Sequence, residues 1–256
     1  MGIDLAWGER NGDGLCLIDV GSTRARVVES AHLFGDAALL DWLERRLPAD
    51  RAALLCLDAP VVCPNVTGSR PVDRLAQTLF ARFHAGPHPA NAARCGRVLR
   101  VVEALRARLG CGFPGATAAP LRPQRTLLEV FPHPAIVRMF ELSRIVRYKR
   151  KPGRTAEFCR GEFRRLQELL RTWLATACPE FEPSETLAEL LAAPLDKPAE
   201  DRLDALVCAL VGYLHWRSRG EATEMIGDIE TGFMLLPKAT AAHTVPVTAP
   251  ASRQRV

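Results

Sequence analysis

The sequence predicts a mixed α/β fold, and three observations carry that expectation. The first thirty residues alternate and turn like an antiparallel meander. Two later runs, 51–58 and 125–131, are short and apolar in the manner of covered parallel strands. Stretches with helical periodicity lie between and after them.

The meander begins with "GIDLAWG" (2–8), followed by a turn at "ERNGDG", a strand "LCLIDV" (15–20), a turn at "GST" and a strand "RARVVES" (24–30). Asn11-Gly12 and Asp13-Gly14 are strong hairpin signals. "DAALLDWLERRL" (36–47) then places Leu39, Leu40, Leu43 and Leu47 on one helical side. "RAALLCLD" (51–58) is continuously apolar, as a central strand covered on both faces must be. Residues 59–125 read as a helical insertion, with Pro- and Gly-rich loops around helices at 72–84 and 91–110. After the strand at 125–131 come a helical tract "AIVRMFEL", a basic loop, helices near 155–177, 184–192 and 199–216, and a hairpin "MIGDIETGFMLLP". This order predicts a single domain over 1–237, with the first, fourth and fifth strands parallel at the centre of the sheet. Residues 238–256 have little to bury and read as a flexible C-terminal tail.

Composition narrows the function classes. With 48% hydrophobic and 25% charged residues, the chain is neither disordered nor fibrous. Lys and Arg outnumber Asp and Glu by 34 to 29, a mild excess that permits a phosphate-bearing partner. The eight cysteines form no CxxC pair and sit mainly in apolar runs, so they read as reduced, buried small hydrophobes of a cytoplasmic protein. "MGIDLAWGER" lacks the basic-then-apolar order of a signal peptide, and the longest uncharged apolar run, "ALVCALVGYL", is about half a membrane span. No membrane partner is expected.

The chemistry is carried by acids in apolar surroundings. Alternation in the first strand sets Asp4 on a face with Gly2 and Ala6, leaving room above it. A buried unpaired carboxylate costs several kcal/mol, so Asp4 needs either a basic partner or a bound cation. Asp58 ends the fourth strand, either as a turn residue before Ala59-Pro60 or as part of a site at the carboxyl ends of the strands. Glu129 lies inside an apolar strand and invites either an Arg or Lys partner or a catalytic role. The last long helix opens with Asp201 and Asp204, which at i and i+3 are neighbours on one face. They read either as acids offsetting the helix dipole or as metal ligands. Acids that converge repel unless a cation joins them, and Mg2+ or Mn2+ suits oxygen ligands with positions left for water and phosphate.

Several of these motifs, taken together, resemble one family. "GIDLAWG", "CLDAPVVCPNVTGSRPVD", "EVFPHP", Tyr148-Lys149 and "DRLDALVCAL" look like the family called domain of unknown function 429, whose members are regarded as predicted nucleases with a ribonuclease H-like fold. The first and last motifs also resemble Holliday-junction resolvases. The resemblance implies a metal-dependent nuclease in which Asp4, Asp58, Asp201 and Asp204 hold Mg2+ or Mn2+ and Glu129 joins the catalytic acids. Where resolvases and ribonuclease H enzymes often carry Glu as the second acid, this chain has Asp58, one methylene shorter. Nucleic acid is the implied partner. Arg70, His133, Lys149 and Arg150 are its candidate contacts, although Arg70 also fits a helix start and His133 a rigid turn between prolines. The loop 144–154 is strongly basic with one aromatic, which suits either a phosphodiester backbone or a solvated surface.

Two other functions compete. One is a nucleic-acid-binding or regulatory module with a degenerate site. The other is an ATP-dependent small-molecule kinase, because "IDVGSTRARV" (18–27) resembles the phosphate loop of the actin-like superfamily. A tight hairpin turn explains the same residues.

Overall fold

In a computed structural model, the described residues are 1–115 and 124–239. Their centre is a five-stranded mixed sheet. The strands are β1 (Gly2–Asp4), β2 (Asp13–Val20), β3 (Ala25–Leu33), β4 (Ala53–Leu57) and β5 (Arg125–Glu129), in the order β3-β2-β1-β4-β5. β1, β2 and β3 form the antiparallel meander, while β4 runs parallel to both β1 and β5. The expected α/β class is thus observed, and the helix-flanked mixed sheet is consistent with a ribonuclease H-like arrangement. Leu55, Cys56 and Leu57 in β4 are fully buried, which is why that strand reads as an unbroken apolar run.

The helices are α1 (Asp36–Arg46), α2 (Pro71–Phe80), α3 (Gly96–Leu109), α4 (Pro132–Met139), α5 (Ala156–Ala177), α6 (Glu185–Ala192) and α7 (Lys197–Arg217). α7 lies across β1, β2 and β4 on the face that carries Asp4. Glycines permit this close approach. A Cβ on Gly2 would stand 1.9 Å from the Ala205 carbonyl oxygen, and one on Gly14 would stand 2.1 Å from that of Asp201. The small residues around Asp4 therefore make room for the backbone of a helix. Ile3, pointing the other way, shares one continuous core with Leu39 and Leu43 of α1 and Val98, Val101 and Leu105 of α3.

The two helices of the stretch 59–125 go to different places. α3 pairs with α1, whereas α2 packs on a separate hairpin of β6 (Thr223–Asp228) and β7 (Gly232–Pro237). Val72, Ala76, Phe80, Met234 and Leu236 form a second core there, and a bridge between Val130 and Leu235 ties it to the main sheet.

Element ends differ from the sequence expectation for local reasons. The first strand stops at Asp4 because the Ala6 N–H donates to Asp13 Oδ1 at 2.9 Å and its carbonyl accepts from Arg97 Nη1 at 2.7 Å. The helix expected from 91 starts at Gly96, since Asn91 first closes a turn of its own by accepting from the Arg94 and Cys95 N–H groups. The last long helix begins at Lys197, capped by the Asp196 carboxylate, which accepts from the Ala199 N–H at 2.7 Å. All eight cysteines are free and buried. Among the described residues, no helix is long and apolar enough to cross a membrane. Of the expected tail, residues 240–256 lie outside the described residues.

Candidate functional site

Three elements bring carboxyls to the carboxyl edge of the parallel strands. Asp4 ends β1, and Asp58 follows β4 with its N–H donating to the Ile3 carbonyl at 2.8 Å. Asp204 projects from α7 two turns beyond the cap, too far in to serve the helix N-terminus. The capping explanation therefore belongs to Asp196 and does not account for Asp204.

Their electrostatics are those of a crowded acidic cluster. Burial, reinforced by the charges of Asp204 and Asp58, holds the Asp4 carboxyl well above the usual carboxylate range. Burial also pushes Asp58 up to about 7; Lys149 opposes that rise, while Asp204 and Glu129 add to it. Both side chains nevertheless keep some solvent access. Asp204 has none. Its Oδ1 accepts a hydrogen bond from the Tyr148 hydroxyl at 2.5 Å, and its Oδ2 lies 2.7 Å from Lys149 Nζ. That second contact is an ion pair, so the fully buried Oδ2 is met by the Lys149 ammonium.

Lys149 enters from the rim with its side chain about a quarter exposed. Burial works against its charge, but Asp204, Tyr148, Asp4 and Asp58 outweigh that and raise its pKa. His133 packs edge-on against Tyr148, with ring centroids 6.3 Å apart. Burial first, and then the nearby positive charges of Lys149 and Lys151, bring its pKa down to about 3, so the imidazole is neutral at pH 7.

The other residues singled out in the sequence stand apart. Asp201, one turn before Asp204, is held by His32 Nε2 at 3.1 Å and Lys197 Nζ at 2.6 Å. Glu129 accepts both terminal nitrogens of Arg70, at 2.6 and 2.7 Å, together with the Val61 N–H at 3.1 Å. Arg70 is 1% exposed, and its remaining N–H groups go to Asp73 and the Val62 carbonyl, leaving no donor for a ligand. Arg150 is exposed on the loop beyond Lys149. Asp73 lies in the first turn of α2, as its place after Pro71 suggests, whereas nothing in the sequence assigns a role to the Tyr148 hydroxyl. For Tyr148, adjacency to Lys149 in a basic loop was the available signal.

The turn at 20–25 lies far from these acids. Because β2 runs antiparallel to β1, with Asp4 opposite Gly14, Val20 is at the other end of the sheet, where the Gly21 N–H closes a tight turn on the Arg24 carbonyl. Among the described residues, no three His, Cys, Asp or Glu side chains are grouped so as to hold a metal ion as they stand.

Residues 2–231 match the family described as "Protein of unknown function (DUF429)", and the chain belongs to that family. Comparison with curated proteins and with solved structures gives no match.

Proposed function

We propose that the protein is a metal-dependent nuclease that hydrolyses phosphodiester bonds, with Asp4, Asp58 and Asp204 as the acids that hold Mg2+ or Mn2+. The observation that carries this reading is the state of the three carboxyls. Burial, with the charge of Asp204 adding to it, holds the Asp4 and Asp58 carboxyls above their usual range, and the buried Asp204 oxygen is met by a single, partly exposed ammonium. A buried carboxylate needs a cation beside it, and the one present, Lys149, reaches it from a partly exposed side chain. All-oxygen donors on rigid elements suit a hard divalent cation, and Lys149 is the side chain that would give way to it. Bound there, such an ion would offset charge on the transferring phosphoryl group and ease deprotonation of an attacking water.

The chain's own groups supply the remainder. Tyr148 fixes the Asp204 carboxylate through a hydrogen bond made away from solvent. Exposed Arg150 and Lys151, which follow Lys149 directly in the chain, are the groups to take the phosphodiester backbone. His133, neutral at pH 7, is unsuited to donating a proton as an imidazolium. Glu129 acts through position, locked to Arg70 and raising the Asp58 pKa from a distance.

A second reading, a nucleic-acid-binding module without metal chemistry, is favoured by the Lys149 ammonium already seated on Asp204. Labelled RNA, DNA, hybrid and branched substrates, incubated with Mn2+ or with a chelator, separate the two. The nuclease reading expects metal-dependent cleavage of at least one substrate and a loss of at least about a hundredfold in Asp4→Asn. Tight binding that ignores the chelator, with no cleavage, would replace it with the second reading.

A further inference from the structure

We infer that Lys149 is a built-in competitor for the cation site, its ammonium occupying the acids until a divalent ion displaces it. The inference rests on reading Asp4, Asp58 and Asp204 as that site.

The contact has the features of an occupant that can leave. Lys149 Nζ lies 2.7 Å from Asp204 Oδ2, while its side chain stays about a quarter exposed and so has a way out of the contact. Asp4 and Asp58 act on the same ammonium. An ammonium and a divalent ion cannot both sit against one buried carboxylate, since like charges at such distances repel strongly in a partly desolvated site.

The backbone around Lys149 is fixed, which confines the movement to the side chain. Arg154 Nη1 donates to the Lys149 carbonyl at 3.0 Å, and Cys159 Sγ reaches the same oxygen. Tyr148, fully buried against Phe163 and bonded to Asp204, anchors the preceding residue. A four-carbon stem with a partly exposed side chain can swing out without moving this frame. Exposed Arg150 and Lys151 follow Lys149 directly in the chain. Arrival of the metal would thus free the Lys149 ammonium from Asp204.

Calorimetric titration of Mn2+ into wild type, Lys149→Met and Lys149→Arg tests this. Removing the competitor should tighten Mn2+ binding by at least about tenfold, within the usual range for coupled ligands, and Lys149→Arg should stay at or below wild-type affinity. Equal or weaker binding by Lys149→Met, with wild type still taking up Mn2+, overturns the inference and leaves the metal site standing. No uptake by any folded variant removes the site and the competitor together. A second measurement on wild type covers the case in which Lys149→Met does not fold. Amine acetylation followed by mass spectrometry should modify Lys149 more readily with Mn2+ than without it, and unchanged or reduced labelling overturns the inference.

Discussion

Asp58 is the residue where the site's electrostatics reach stability. Its carboxyl stands at about 7 in the folded chain against an ordinary 3.8, with burial as the first cause. Between those values the folded state binds more protons than the unfolded one, so stability falls as pH rises through that window and the loss is complete above pH 7. Without added divalent ion, wild type should be less stable at pH 8 than at pH 5. Asp58→Asn should lose less over the same interval, because each unit of displacement is worth about 1.4 kcal/mol. Urea denaturation at the two pH values measures this, and parallel losses in both proteins would contradict it. Asp4 was legible in the sequence because strand alternation gave it small neighbours, and the room they leave is filled by α7. Helical spacing alone does not separate Asp201 from Asp204, because i and i+3 share a helix face. What separates them is His32, a β3 residue far away in sequence, which with Lys197 draws the Asp201 carboxylate aside. Helical spacing carries no information about such a partner.

At the scale of elements, Arg70 joins the start of α2 to the end of β5. It stands at the N-cap of α2, where the Asp73 carboxylate accepts from its backbone N–H, and its guanidinium pairs with Asp73 and Glu129, all with almost no exposure. Breaking a buried pair by removing one partner typically costs about 3–5 kcal/mol, because the remaining charge is stranded. Arg70→Met should therefore destabilise the fold by roughly that amount, read as a lower denaturation midpoint at unchanged slope. A variant of wild-type stability that had lost only nucleic-acid affinity would mean that Arg70 faces a substrate instead. The motif "SRPVD" did announce a helix start, with Pro71 at its first position. The partnership with Glu129 spans 59 residues and two elements, which local pattern cannot supply. The same limit applies to Lys149, which its basic loop marked as a surface contact but which the fold turns inward onto Asp204.

For the whole molecule, the strand order β3-β2-β1-β4-β5 decides where chemistry can occur. It aligns the ends of β1 and β4, and α7 crosses that edge because Gly2 and Gly14 let its backbone settle on the sheet. The meander, the covered strands and the helices were legible because each rests on short-range periodicity. The pairing of α2 with the final hairpin was not, since it joins segments about 150 residues apart. We propose this edge as a cation site built from Asp4, Asp58 and Asp204. The most direct measurement is a set of four melting curves, of wild type and Asp204→Asn with and without Mn2+. Each protein is compared with itself, so any change that Asn causes in the absence of metal drops out. A ligand that binds only the folded state stabilises it by about 2.7 kcal/mol at a hundred times its Kd. A cation site there should give a clear Mn2+-induced rise in Tm for wild type and a much smaller one for Asp204→Asn; equal rises in the two proteins, or no rise in wild type at saturating metal, would rule it out.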